Sequence, residues 1–157
     1  MNVLKYCCFY VNDVHLVTML LPYINRKINE NKKFVTIFEK DISESVSKVI
    51  ERVNIKNIEK NNIIKLGWDK CKNVNKIDVS NKIVIIMGSN IFIEKINNFI
   101  CNKMDNFSII NCYDIFENED NISLIVNNHE KIINTKGEID INDFSQNRQK
   151  KMTLKSQ

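Results

Sequence analysis

At 157 residues the chain has room for one domain with a sizeable core, since a domain of this size buries about 68–70% of its unfolded surface. Three Gly, one Pro and no Ala among abundant Ile, Asn and Lys reflect a coding skew, so asparagine counts alone say little about function. The net charge of +4 is spread over many lysines, unlike the basic stripe of a dedicated nucleic-acid binder, and no apolar run reaches the roughly 18 residues of a membrane span.

Residues 4–11 form a β-rich apolar run without helical spacing, the pattern of a strand buried on both faces. Residues 13–32 then place Leu16, Leu20, Ile24 and Ile28 at helical spacing, and Pro22 predicts a kink or a fresh helix start. A second strand follows over 33–39. Asp41 is positioned to cap the next helix, with Glu44 three residues on in capping-box register and Val46, Val49, Ile50 and Val53 as its apolar stripe.

Residues 62–68 read as a third strand and 69–81 as loop or short helix. Residues 82–88 are the most apolar run and predict the central strand. Ser89 or Asn90 caps a helix with Phe92, Ile96, Phe99 and Ile100 on its buried face. Residues 107–114 predict a fifth strand, 121–129 a short helix, and 131–139 a sixth strand or terminal hairpin. Beyond about residue 142 the periodicity ends, so the expected organisation is one domain over 1–141 and a flexible basic tail over 142–157. Strands alternating with helices at this spacing predict an α/β fold of three layers, a mainly parallel sheet with helices on both faces.

Ligands of such sheets bind beyond the carboxyl ends of the strands. Asn12 and Asp13, Glu39, Trp68, Ser89 and Asn90, and Tyr113 and Asp114 stand there, with mostly negative charge. A phosphate cradle needs glycines, a helix N-terminus and a lysine; the turn after the first strand has Asn12 and Asp13 instead, which suit a helix cap and a favourable first-turn carboxylate. Asp13, Glu39, Asp69 and Asp114 could in principle converge on Mg²⁺, though helix capping explains each one separately. Trp68, the sole tryptophan, is either a packing residue or an aromatic anchor. His129 falls near a helix C-terminus, where an imidazolium would favour the dipole. No nucleophile and base are paired in sequence, and no metal or cofactor is expected.

Cys7, Cys8, Cys71, Cys101 and Cys112 are odd in number and lack zinc-site spacing. Together with the absence of a secretory pattern they suggest a cytoplasmic protein with reduced thiols. Cys7 and Cys8 should point to opposite faces of their strand, so a disulfide between them would be strained.

The segments Lys5-Tyr6-Cys7-Cys8-Phe9-Tyr10, Pro22-Tyr23, Asn111-Cys112-Tyr113-Asp114 and His129-Glu130 resemble, in order, motifs of the methanogen/methylotroph sensory (MEDS) domain over about residues 3–138. Lys5 stands where that family usually has histidine. The resemblance implies a RecA/KaiC-like core lacking its phosphate loop, serving as a sensory module in signal transduction or transcriptional control. It implies action through a regulatory protein partner or a small-molecule ligand; homo-oligomerisation is left open, and the lack of a long apolar run argues against membrane attachment. Cys7, Tyr10 and His129 join the strand-end residues as ligand-binding candidates. Two alternatives are a nucleotide-binding or ATPase-like protein reaching phosphates through Lys5, Lys82 or Asp114, and a DNA-associated regulator using Arg148, Lys150, Lys151 and Lys155 of the tail.

Overall fold

In a computed structural model, residues 3–103 and 105–141 are described. The predicted tail over 142–157 lies outside them. The order is β1 (Val3–Tyr10), α1 (Asp13–Asn29), β2 (Lys33–Phe38), α2 (Ser43–Arg52), α3 (Asn57–Ile64), a 3₁₀ turn (Val74–Lys76), β3 (Lys82–Met87), α4 (Asn90–Cys101), β4 (Phe107–Asp114), α5 (Ile122–Asn127), β5 (Lys131–Asn134) and β6 (Gly137–Asp140). The sheet runs β2-β3-β4-β1-β5-β6, parallel except for the β5–β6 hairpin at one edge. Tyr6, Cys8, Ile85, Met87, Ile110 and Cys112 pack with α1, α2 and α3 on one face. Val84, Ile86 and Ile109 pack with α4 on the opposite face, where Cys7 and Ile132 meet Val126 of α5. The three-layer α/β arrangement is therefore present.

α1 begins as its sequence directs. The Asn12 Oδ1 accepts the His15 backbone N–H at 2.8 Å, satisfying one of the first-turn donors. The helix runs unbroken through Pro22, with neither a second start nor a stop. Its middle is buried nearly all round, at Leu16, Val17, Met19, Leu20, Leu21 and Tyr23, because the sheet lies beneath it and α2 and α3 lie beside it.

Four expectations need correction. Residues 62–68 do not form a strand: α3 ends at Ile64, and Trp68 folds back so that its indole N–H donates to the Ile63 carbonyl at 2.8 Å. Of α3's residues only Ile63 is buried, so there is no apolar stripe to betray a helix. Next to β2 the chain makes only an isolated bridge, Phe38 to Lys70. β3 is an interior strand but not the central one; β4 and β1 hold the middle. α2 starts at Ser43 with Ile42 before it. Asp41 instead accepts the Ser43 N–H at 2.8 Å, and Glu44 pairs with Lys48 at 3.5 Å rather than closing a capping box. Finally, the buried stripe of α4 is Ile93, Ile96 and Ile100, while Phe92 is half-buried and Phe99 is 37% exposed beneath the Lys103 ammonium.

β3 and α4 are joined by Gly88 and Ser89. A Cβ on Gly88 would lie 2.6 Å from the Phe92 Cδ1 and 2.8 Å from the Glu39 Cβ, so this junction closes only around a glycine. Gly88→Ala is expected to destabilise the fold by roughly 1–3 kcal/mol, read as a lower urea midpoint at unchanged slope. An unchanged midpoint would show that the junction is not tight.

Candidate functional site

The carboxyl ends of the strands are occupied by their own side chains. Between β1 and α1 stand only Val11 and Asn12. The Val11 N–H donates to the His15 Nδ1 at 2.9 Å, the Leu16 N–H to the Asn12 carbonyl at 3.0 Å, and the Asp13 carboxylate pairs with Lys40 at 2.9 Å. Across the same end, the Ile115 N–H donates to the Tyr10 carbonyl at 2.9 Å and closes the gap between β1 and β4. These two strands send their connections to opposite sides of the sheet, which makes this the topological switch point where open α/β sheets usually hold ligands.

The other carboxylates behave alike. Glu39 accepts the Ser89 N–H at 2.9 Å, and the Ser89 hydroxyl caps α4 by accepting the Phe92 N–H at 3.2 Å. Asp69 accepts the Ser43 hydroxyl at 2.9 Å, and Asp114 the Phe116 N–H at 2.9 Å. Each closes a local junction, and among the described residues no three His, Cys, Asp or Glu side chains group as a metal site.

The remaining sequence candidates divide between the two faces. Tyr10 and Trp68 are buried on the α1–α3 side, Trp68 with its ring 5.7 Å from Phe38, so Trp68 serves as packing and does not join the others. Burial foremost, then nearby negative groups, raises the Tyr10 hydroxyl above its ordinary range. Cys7 is buried on the α5 side, where desolvation pushes its thiol up to about 12. Cys8 faces the opposite core beside Cys112, whose hydrogen bond, followed by burial, raises its thiol as well.

Tyr113 and His129 come together with Asn90 along a groove of about 550 Å³ between α4 and α5, over β4. The Tyr113 ring stacks on Phe9 at 5.9 Å and meets the His129 imidazole edge-on at 5.9 Å. Desolvation by burial, with neighbouring thiols, raises the Tyr113 hydroxyl. Beneath lies a chain of amides, buried at Asn111 and half-buried at Asn97, that no strand-end position pointed to. Asn97 and Asn111 pair reciprocally, Nδ2 to Oδ1 at 2.8 Å and 3.1 Å, and the other Asn97 N–H goes to the Ile93 carbonyl at 2.8 Å. The Asn111 amide reaches the His129 Nε2 at 3.0 Å, and the His129 Nδ1 meets the Ile125 carbonyl at 2.6 Å.

The partners fix the tautomer. A carbonyl only accepts, so Nδ1 carries the proton and Nε2 accepts from the Asn111 amide. Burial, reinforced by the Lys5 charge, lowers the His129 pKa below its usual 6.5, against the contribution of the Ile125 carbonyl. The expected imidazolium at the end of α5 is therefore corrected to a neutral ring: the loss of hydration outweighs the attraction of the helix terminus.

No family model, curated protein or solved structure matches this chain.

Because the folded His129 holds its proton less tightly than the unfolded chain does, stability is complete above about pH 6.5 and falls as the pH drops below it. The loss is at most about 1.4 kcal/mol per pH unit, down to the folded pKa. Urea unfolding between pH 7.5 and 5 should show this slope, and His129→Gln should flatten it. An identical slope in the variant would assign the pH dependence to other groups.

Proposed function

We propose that the chain is a non-catalytic sensory or regulatory module of the MEDS type, a RecA/KaiC-like core without a phosphate loop, acting in signalling or transcriptional control through a small ligand or a protein partner. The observation that carries this reading is the closed switch point. The β1–α1 turn is two residues long, its polar groups serve α1, and the Ile115–Tyr10 hydrogen bond seals the neighbouring gap. A triphosphate needs successive free N–H groups and a lysine there, and meets Asp13 instead.

The resemblance over residues 3–138 supplies the family half of the proposal, and the topology is compatible with it. Ile91, Phe116 and Leu124 are exposed apolar side chains on segments flanking the α4–α5 groove, which suits a module that docks on a partner. The nucleotide-binding alternative gains no such support. Lys82 opens β3 at the amino end of the sheet and pairs with Asp78, Asp114 closes β4 at the carboxyl end, and Lys5 lines the groove, so the three do not form one phosphate site.

Thermal unfolding with about 5 mM ATP and Mg²⁺ tests the reading. The expected result is an unchanged melting temperature and no phosphate release. A nucleotide bound with a Kd near 50 µM would add about 2.7 kcal/mol at that concentration, a rise of roughly 5 °C or more for a chain of this size, and would overturn it.

A further inference from the structure

The groove between α4 and α5 is built differently from the rest of the surface. Its floor is the amide chain of Asn97, Asn111 and His129, whose hydrogen bonds are made internally and hold these side chains in one arrangement. At its carboxyl end a second amide chain is fixed in direction. The Asn118 Nδ2 donates to the Asp114 carbonyl at 2.8 Å, which can only accept, so the Asn118 Oδ1 must be the atom that takes the Asn90 Nδ2 at 2.6 Å. This leaves the Asn90 Oδ1 buried without a donor. It is enclosed within the wall, so it is a cost to the fold and offers no contact to a molecule in the groove.

Two charged side chains line the groove among the described residues, Lys5 and Glu94. They belong to different ends. Lys5 sits beside the α5–β5 junction, where its carbonyl accepts the Glu130 N–H at 2.8 Å and its own N–H donates to the Glu130 carboxylate at 2.7 Å. Glu94 lies one helical turn beyond Asn90 on α4. The groove thus offers a cation at one end, a carboxylate at the other, and neutral amides between. A polyphosphate would meet one cation against one carboxylate, and an apolar ligand would desolvate Lys5 and Glu94 with nothing to pair them. The volume of about 550 Å³ is in the range of small-molecule sites.

We infer that this groove binds a small zwitterion of the α-amino-acid class, its ammonium group at Glu94 and its carboxylate at Lys5. The inference rests on the reading of the chain as a ligand-responsive module and names its site. Neither end is part of the apolar core: Glu94 is exposed and Lys5 is half-buried, so both can be neutralised without disturbing the fold.

The test uses the full chain and each of the twenty protein amino acids singly at about 10 mM, in thermal shift and then calorimetry. At least one should raise the melting temperature by about 2 °C or more, and its N-acetyl and methyl-ester derivatives should not. Lys5→Gln and Glu94→Gln should each weaken binding about tenfold while melting like the parent chain. No shift with any amino acid, or an affinity unchanged from the parent chain in either variant, overturns the assignment. A shift with ATP instead would defeat the module reading itself, so the two failures are distinguishable.

Discussion

Asn111 is an amide in the middle of β4, 1% exposed, in a strand otherwise filled by Phe107, Ile109, Ile110 and Cys112. A polar side chain in that position is tolerated only when its donors and acceptor are paired, because stranding a buried polar group costs about 1–3 kcal/mol. Asn97 from α4 and His129 from the end of α5 supply the partners. One strand residue thereby sets where two helices stand against the sheet. The same pairing keeps α4 and α5 from closing over β4 with apolar side chains, and the groove is what remains between them.

The opposite strategy operates at the carboxyl edge of the sheet. Carboxylates that might have converged on a cation are each used to close a junction: Asp13 on Lys40, Glu39 on Ser89, Asp69 on Ser43 and Asp114 on Phe116. Gly88 lets Glu39 and α4 approach closely. The place where doubly wound sheets usually bind ligands is stitched together by Ile115 and Tyr10. The groove lies instead between α4 and α5, lined by amides, a neutral imidazole, Lys5 and Glu94.

Much of the fold was legible because its signals are local. Continuous apolar runs marked β1, β2, β3 and β4, and spacing marked α1, while the polar caps Asn12 and Ser89 are where their side chains predict. α3 was not, since a helix that buries Ile63 alone carries no period, and Ile64, Leu66 and Trp68 imitate the alternation of a strand. In α4, Ile96 and Ile100 are buried as expected, while Ile93 takes the inward place of its neighbour Phe92 and Phe99 lies at the exposed margin of the face. The site was legible only at Asn90, Tyr113 and His129. Asn97 and Asn111 were hidden by the chain's general wealth of asparagine, although an Asn inside a β-branched run, where strands disfavour it, was the available sign.

The most direct measurement is a long-range ¹H–¹⁵N spectrum of the His129 ring, followed from neutral pH downward. If the Asn111 amide holds Nε2 as an acceptor, that nitrogen remains unprotonated at neutrality, Nδ1 carries the proton, and the ring titrates with its midpoint below 6.5. A proton on Nε2 at neutral pH, or an ordinary titration centred near 6.5, would contradict it and remove the floor on which the groove is built.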